Sequence, residues 1–488
     1  MTRELIGLFA LNGLLLLLGL ALLWSLRPRP AIRLLAAGGV AYMLGIALLI
    51  VVGTIGIVLG IPVSPGSLLL GCLTVVAVTA TVVRVRSRRV QVVGDASTRQ
   101  HGRGIAVAGL ALGLAALAAY FTTLFRATRF MPAHEWDGWW LWTIRAKSLF
   151  YSGDLGGADL VLGPEKLSYP PGLSVLYGTA FEAMGGVDTV TLHLQNWFTA
   201  LGFAAALAYL LVTRVRVWIA VPALLLAVTL PALRDQMPLF HADALLAYEV
   251  ALAAVLLLSW LETRASWQCV AASTLLAGAL LTKRDGLLFV ACVLLAAFAA
   301  SWLQRGWAWP RLVAASASVA GIGAVWWIAE PRLGDTAPSG GASSVLDDPA
   351  RFAGALRLTI ESALDSTTSS SVVVFTLLAL ALAAAVGSRR IPAFVLVFTG
   401  FAFAGVAAVI TTEVAFELSR EPVASPVDRL VVVPLVTLAA VLPLLLEVAW
   451  RGSGEVVRGR VLERASIQLR QLDRARDAGP VRGGDAPA

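Results

Sequence analysis

Long apolar runs separated by short charged loops make up most of this sequence. Each run has roughly 17–25 residues, enough for a helix to cross about 30 Å of hydrocarbon. Backbone groups in lipid must be hydrogen-bonded within the protein, and the runs are continuous rather than alternating, so they predict helices and exclude a transmembrane β-barrel. We therefore expect an all-α, polytopic helical membrane protein with about thirteen transmembrane helices. Their approximate ranges are 5–25, 34–60, 67–83, 104–123, 196–213, 217–233, 244–261, 268–282, 286–303, 311–329, 371–387, 391–410 and 429–449.

The composition supports this class of protein. Of the 488 residues, 58% are hydrophobic and only 14% are charged. That is too little polar surface to cover the core of a soluble protein of this length. The three cysteines, Cys72, Cys269 and Cys292, lie in apolar runs without paired spacing. They indicate small core residues, and neither a disulfide framework nor a zinc site is expected.

The basic residues are concentrated in alternate loops. The formal net charge of +8 comes mostly from short loops and the tail after Arg451, which is the positive-inside pattern and not a signature of nucleic-acid binding. The tail is therefore predicted to be cytoplasmic. The first run is interpreted as a retained helix, because its stronger basic flank, 27–33, follows it. Usage rich in Ala, Val and Arg indicates a high-GC bacterium, so we expect a multi-pass protein of the bacterial cytoplasmic (inner) membrane.

Three regions follow from these patterns. Residues 1–103 are predicted to form N-terminal transmembrane helices, 104–448 a transmembrane core, and 449–488 a basic cytoplasmic tail. The core contains a long outer loop, 124–195, in which we expect short juxtamembrane helices. The tail segment 455–476 is either an amphipathic helix on the anionic cytoplasmic leaflet or a disordered basic end.

Every unusual polar cluster falls on the predicted outer face. The stretch 134–151 contains Glu135 and Asp137 among four tryptophans. His241-Ala242-Asp243 begins another span, the charged turn 282–286 joins two short apolar helices, and Asp428-Arg429 opens the last span. Ionisable groups at helix ends are costly to bury unless they are paired, so their common side predicts a shared polar cavity.

Each cluster also has a purely structural interpretation. Asp137 and the nearby tryptophans can be an interfacial carboxylate within an aromatic membrane belt. The turn at Lys283 can carry snorkelling side chains with a local ion pair, and Asp428-Arg429 can be a salt bridge at a helix start. His241 can be an ordinary hydrogen-bonded histidine. The geometric criterion is whether Asp137, Asp243, Lys283 and Arg429 converge on one cavity.

In their order, these motifs resemble the C-type glycosyltransferases, which use polyprenyl-phosphate sugars. The likeness is to the bacterial branch related to protein O-mannosyltransferases and lipid A aminoarabinose transferases, and it covers about 104–448. The matching segments are Asp137 in Glu135–Trp142, Tyr169-Pro170-Pro171, Asp243–Leu246, Thr282–Gly286 and Asp428-Arg429. Two departures stand out. Three spans within 1–103 precede the core and a fourth leads into the acidic loop, where many members have one span before that loop. A large C-terminal outer domain is not expected, so the acceptor class is not implied.

The resemblance implies an inverting membrane glycosyltransferase, a hexosyl- or pentosyltransferase. It would move a sugar from a polyprenyl-phosphate donor to a glycan, lipid or protein acceptor on the outer face. Asp137, with Glu135, would be catalytic, since a carboxylate can take the acceptor proton. Asp243 with His241 would either hold a divalent cation, Mg²⁺ or Mn²⁺, or orient the cations. The implied donor-phosphate residues are Lys283, Arg284 and Arg429, and the implied supporting residues are Tyr169, Trp139, Lys147, Asp285 and Asp428.

Two other functions compete with this one. A transporter or flippase of a polar lipid or solute also needs charges in the membrane, but it usually places them near mid-bilayer on broken helices, often with internal repeats. Here the charges lie at helix ends on one face, and no repeat is visible. A non-catalytic scaffold leaves the one-sided clustering unexplained. The sequence therefore favours the transferase.

Overall fold

The structure is a computed structural model that describes residues 2–26, 35–87, 103–131, 135, 137–162, 169–303, 309–333, 349–386, 388–417 and 424–477. In this part of the chain all regular structure is helical. The α-helices are α1 Thr2–Leu26, α2 Gly38–Val58, α3 Pro65–Ser87, α4 Arg103–Thr128, α5 Thr143–Ser152, α6 Gly156–Leu162, α7 Gly172–Met184, α8 Thr189–Val212, α9 Val217–Thr229, α10 Pro231–Gln236, α11 Ala242–Thr263, α12 Ser266–Thr282, α13 Gly286–Trp302, α14 Trp309–Leu333, α15 Pro349–Leu364, α16 Thr367–Ala385, α17 Arg390–Glu417 and α18 Ala424–Asp477.

Ten of the described helices are long and apolar enough to cross a membrane: α1, α2, α3, α4, α8, α11, α14, α16, α17 and α18. Three shorter apolar helices, α9, α12 and α13, complete the apolar set. Each of the thirteen predicted ranges overlaps one of these helices. The prediction of an all-α structure rich in helices long and apolar enough to cross a membrane is thus confirmed.

A capping residue and a proline explain two helix ends that differ from the predicted ones. Helix α8 begins at Thr189, before the predicted residue 196, because the Asp188 carboxylate accepts hydrogen bonds from the N–H groups of Val190 and Thr191 at 3.0 and 3.1 Å. Helix α9 ends at Thr229, before the predicted residue 233, because Pro231 starts the short helix α10.

Helix α11 is the centre of the bundle. Its residues are buried from Ala242 to Leu261, and it packs against α12 and α18. A helix that is apolar on every side is expected at such a place. Helices α3 and α4 lie at the periphery, where Leu70 and Leu112 are 69% and 75% exposed. In a membrane these outer leucines would face lipid.

A buried polar contact joins α1, α2 and α8. The Asn12 amide donates to Oε1 of Gln195 at 2.9 Å, and the Tyr42 hydroxyl donates to Oδ1 of Asn12 at 2.5 Å. Gln195 also donates to the Tyr42 hydroxyl at 3.2 Å. Such hydrogen bonds between membrane helices favour one arrangement of the three.

The bundle has two chemically different ends. Asp243 lies in the first turn of α11 and Arg264 directly after its last residue, so the 22-residue helix separates them by about 33 Å. We call the end near Asp243 the site end and the end near Arg264 the basic end. The arginines at the basic end are Arg214, Arg216, Arg264, Arg311, Arg390 and Arg451.

Several predictions about loops and termini can be compared with the structure. The expected short helices between α4 and α8 are present as α5, α6 and α7. Helix α18 continues to Asp477, so the tail segment 455–476 is helical, as the first of its two predicted alternatives requires. The three cysteines are free and buried. His134, Trp136, the flank 27–33 and most of the basic loop before α4 lie outside the described residues.

Candidate functional site

Five ionisable side chains form one continuous series of ion pairs at the site end. Nζ of Lys283 is 2.7 Å from Oδ1 of Asp243 and 2.8 Å from Oδ2 of Asp285. Nη2 of Arg429 is 3.1 Å from Oδ2 of Asp243, and its Nη1 donates to Oδ2 of Asp137. We call Asp285, Lys283, Asp243, Arg429 and Asp137 the ion-pair chain. The four residues of the geometric criterion are therefore joined by ion pairs, and the shared cavity expected there stays a prediction.

Burial is greatest at Asp243 in the middle of the ion-pair chain and decreases from there to Asp137. The Asp243 side chain is 2% exposed, Arg429 19% and Asp137 38%. Burial opposes the charge on Lys283, but the negative charges of Asp243 and Asp285 outweigh it and raise the pKa of Lys283 above its usual range. The ion-pair chain thus has a buried, charged anchor at Asp243 and a partly exposed carboxylate at Asp137.

The position of Asp137 is set by a single π-helical turn, Gly138–Trp142, that follows it. The Gly138 carbonyl accepts from both the N–H and the hydroxyl of Thr143, the latter at 2.7 Å. A Cβ at Gly138 would lie 2.8 Å from Cβ of Phe240 and 2.9 Å from Oε2 of Glu135, so glycine allows this close approach. The turn therefore brings Asp137 and the Glu135 carboxylate against the segment that starts α11. Turns of this type are frequent at functional sites.

The pairing of Asp243 with Lys283 follows from the packing of α11 on α12. Asp243 lies in the first turn of α11, where the helix dipole favours a negative charge. Lys283 directly follows α12, and its extended backbone, with φ −154° and ψ 156°, turns the chain towards α13. Because the two helices are neighbours, their ends meet and the two side chains can pair.

Arg429 enters the site from the start of α18, which packs along α11. Its neighbour Asp428 is exposed and accepts a 2.6 Å hydrogen bond from Ser362 of α15. The two residues therefore serve different partners. The structural interpretation of this pair as a salt bridge at a helix start does not describe Arg429, which holds Asp137 and Asp243 instead.

His241 lies beside the ion-pair chain. Its Nδ1 is 2.9 Å from Oε1 of Gln236. Burial and the positive charge of Arg429 lower the pKa of His241 to about 4, so the ring is neutral at neutral pH. His241 is thus a hydrogen-bonded, uncharged neighbour of the chain.

Arg284 is exposed and lies against aromatic rings. Its guanidinium carbon is 5.9 Å from the ring centroid of Tyr169 and 6.0 Å from that of Trp327. Tyr169 in turn packs edge-on against the buried Trp142, with centroids 6.1 Å apart. Aromatic faces attract a guanidinium without using its hydrogen-bond donors. Among the described residues no carboxylate forms an ion pair with Arg284.

The remaining predicted residues lie outside the ion-pair chain. Trp139 is 44% exposed and lies beside Trp140, with ring centroids 5.7 Å apart. Lys147 is partly buried on α5. Asp428 is bound to Ser362, as described above. The exposed Trp139 fits the interpretation of the tryptophans as residues at a membrane surface, whereas the fully buried Trp142 does not.

Sequence reasoning missed two buried ionisable residues. Arg145 on α5 is fully buried, and so is Glu249 on α11. The Thr282 hydroxyl lies 3.0 Å from Oε2 of Glu249, directly before Lys283 in the chain. The signal for Glu249 was available, because an ionisable residue inside an apolar run is unusual in a membrane helix.

A divalent cation at Asp243 and His241 does not fit the donor atoms. Both oxygens of Asp243 already face cations, and Nδ1 of His241 faces Gln236. The described residues contain no group of three or more His, Cys, Asp or Glu side chains arranged to hold a metal ion. The geometry favours the other alternative, in which Asp243 orients Lys283 and Arg429.

Comparison of the chain with protein-family models, curated proteins and solved structures finds no significant match. The chemistry of the site therefore has to follow from its own residues. Asp137 offers a partly exposed carboxylate, and Arg284 offers an exposed cation close to the turn that carries Lys283. The site end thus provides a proton acceptor and a binding group for an anion.

Proposed function

We propose that this chain is a membrane glycosyltransferase that moves a sugar from a polyprenyl-phosphate donor to an acceptor, with Asp137 as the general base. The observation that carries the proposal is the ion-pair chain, which joins Asp137, Asp243, Lys283 and Arg429. These are the residues whose order along the sequence resembles the C-type glycosyltransferases. A scaffold has no need for a partly exposed carboxylate on a buried charged anchor.

The proposal also includes an orientation in the bacterial cytoplasmic membrane. The chain crosses it thirteen times, through the ten long helices and the shorter α9, α12 and α13. The positive-inside rule assigns the basic end to the cytoplasm, and the site end then lies outside. The polyprenyl tail stays in the membrane while the sugar phosphate reaches the site from the outer leaflet.

The proposed reaction is a single displacement. The acceptor hydroxyl oxygen attacks the anomeric carbon, and Asp137 takes the hydroxyl proton. The bond between the anomeric carbon and the phosphate oxygen breaks, and its electron pair leaves with the lipid phosphate. Attack from the side opposite the leaving group inverts the anomeric centre. With 38% of its side chain exposed, Asp137 is accessible to a hydroxyl, while Arg429 fixes the direction of its carboxylate.

The three cations have different parts in this proposal. Arg284 is exposed and has no carboxylate partner among the described residues, so it is the group best placed to bind the donor phosphate. Lys283 and Arg429 are already paired with aspartates. They orient the carboxylates and add positive potential behind Arg284, which stabilises the charge that develops on the leaving phosphate.

The test is transfer from labelled polyprenyl-phosphate hexoses and pentoses in membranes that contain the full chain, with Asp137→Asn compared to Asp235→Asn. Asp235 is the matched control because it is an exposed aspartate whose nearest ion-pair partner is Arg234, at 2.9 Å. We expect Asp137→Asn to lower transfer by at least roughly 100-fold, the usual effect of a general base, and Asp235→Asn to leave it unchanged. Both variants should keep the thermal midpoint of the parent chain in detergent.

Two results would contradict the proposal. Full transfer by Asp137→Asn would remove Asp137 as the base. If no donor supports transfer, and purified protein in vesicles moves an unmodified solute or lipid across the bilayer, the transporter or flippase function would replace the transferase.

A further inference from the structure

A deep crevice opens between α12 and α14 near the basic end, and residues of α1, α2, α3 and α11 complete its walls. Its cavity volume is about 440 Å³. One wall runs from Ser266 to Ala277 on α12, and the other from Arg311 to Ile322 on α14. Each wall therefore rises by about 16 Å, which is half of the roughly 30 Å thickness of the hydrocarbon. The crevice is as deep as one leaflet.

The walls of this crevice are effectively apolar. Five hydroxyl-bearing residues line it, and three of them donate to a carbonyl of their own helix four residues earlier. Ser273 donates to Cys269 at 2.9 Å, Thr274 to Val270 at 3.0 Å and Ser318 to Ala314 at 2.8 Å. Because these three donors are satisfied and most of the other lining residues are apolar, the walls make little demand for polar partners. Water is unfavourable in such a space, whereas a hydrocarbon chain fills it well.

The mouth of the crevice is positively charged. Arg311 is exposed at the mouth, and burial together with the charges of Arg390 and Arg311 lowers the pKa of Arg264. The Arg264 guanidinium carbon lies 5.6 Å from the ring centroid of Trp260, which is fully buried in the crevice wall. Nε1 of Trp260 has no hydrogen-bond partner among the described residues, although a buried indole N–H usually has one. The mouth thus offers positive charge.

We propose that this crevice binds one acyl chain of an anionic phospholipid, with the lipid phosphate on Arg311. An anionic phospholipid has both features that match the crevice. Its acyl chain is apolar and about one leaflet long, and its phosphate lies at the end of that chain where the mouth is. Free phosphate matches only the mouth. A zwitterionic headgroup brings its own cation next to three arginines. The site lies at the opposite end of α12 from Lys283, so the inference does not depend on the glycosyltransferase proposal.

The experiment is a lipid titration of the full chain in detergent, read by native mass spectrometry. Phosphatidylglycerol is compared with phosphatidylcholine of the same acyl chains. We expect phosphatidylglycerol to bind more tightly and Arg311→Gln to weaken its binding about fivefold, the usual effect of one arginine at an anionic membrane surface. The matched control is Arg389→Gln, an exposed arginine beside Arg390 that does not line the crevice, and it should change binding less than about twofold.

A second variant tests the depth of the site. Ala315→Phe places a ring in the crevice without a change of charge, and it should also weaken phosphatidylglycerol binding. Three results would overturn the inference: equal affinity for both lipids, equal losses in the two arginine variants, or undiminished binding by Ala315→Phe. Displacement of the lipid by excess inorganic phosphate would likewise show that the crevice holds no acyl chain.

Discussion

Arg429 donates a hydrogen bond to Asp137, a residue 292 positions earlier in the chain. The same guanidinium binds the buried carboxylate of Asp243, which in turn holds Lys283. The direction of the partly exposed Asp137 carboxylate is therefore fixed by charges buried in the bundle. Substitutions at Asp243 should alter the orientation of Asp137, because Arg429 links the two residues.

The anchor should be sensitive to the loss of one partner and tolerant of the loss of two. Asp243→Asn leaves Lys283 and Arg429 with too little negative charge, and removal of one member of a buried pair destabilises by about 3–5 kcal/mol. Adding Lys283→Met should recover part of the thermal midpoint in detergent, while Asp235→Asn should leave it unchanged. A double variant that is less stable than Asp243→Asn would show that the pair is not the cause.

The stability of the protein should fall in mild acid because of His241. The pKa of this histidine is about 4 in the folded protein and about 6.5 when exposed, so the unfolded state binds more protons between these values. The contribution is complete above pH 6.5 and is lost as the pH falls towards 4, by about 2 kcal/mol between pH 7 and 5. Thermal midpoints across this range should show the decrease, and His241→Asn should flatten it. An unchanged slope in the variant would assign the acid sensitivity to another group.

Gly138→Ala should displace Asp137. The added methyl group would lie 2.8 Å from Cβ of Phe240 and must push the π-helical turn away. We expect a stability loss of about 1–3 kcal/mol, typical of overpacking, and a fall in transfer. Gly109→Ala is the control, because a Cβ there meets nothing within 4 Å on α4. Normal transfer by Gly138→Ala would mean that this turn does not position the base.

Glu249 should tolerate a neutral isostere but not truncation. The residue is fully buried in the middle of α11, and its hydrogen-bonding neighbour is the hydroxyl of Thr282. An unpaired carboxylate is expensive in a membrane, so we expect the neutral acid there. Glu249→Gln should keep the thermal midpoint, whereas Glu249→Ala should lower stability by about 2–5 kcal/mol, as other large-to-small core substitutions do. Equal losses in the two variants would indicate that the charged form matters.

Arg284 should affect donor binding more than the chemical step. Its side chain is exposed and rests on Tyr169 and Trp327, so Arg284→Gln should leave the fold intact. Loss of a charge-assisted bond to phosphate should raise KM for the lipid-linked donor about tenfold with a smaller change in kcat. Steady-state kinetics over a range of donor concentrations measures this split. A fall in kcat alone would place Arg284 on the leaving group only in the transition state.

The apolar pattern predicted the apolar helices well, because helices surrounded by hydrocarbon must be apolar on their outer surfaces. It missed helix starts that depend on a single side chain, such as the Asp188 cap of α8. For the site, helix ends on one face predicted that Asp137, Asp243, Lys283 and Arg429 converge. The division of labour among the cations could not be predicted, because it depends on which aspartate each one reaches. Glu249 was overlooked although it stands out in the sequence as an ionisable residue inside an apolar run, and only the packing of α11 on α12 shows that its partner is Thr282.

The residues of the ion-pair chain are synthesised at different times. Asp243 and Lys283 are 40 residues apart, but Arg429 follows Asp243 by 186 residues. At the usual 5–20 residues per second, a ribosome needs roughly 10 to 40 s to cover that interval. Throughout this interval Asp137 has been synthesised but lacks the Arg429 guanidinium that orients it. The order of the helices therefore acts as a delay, and the site is assembled only when the helix that carries Arg429 has joined the bundle.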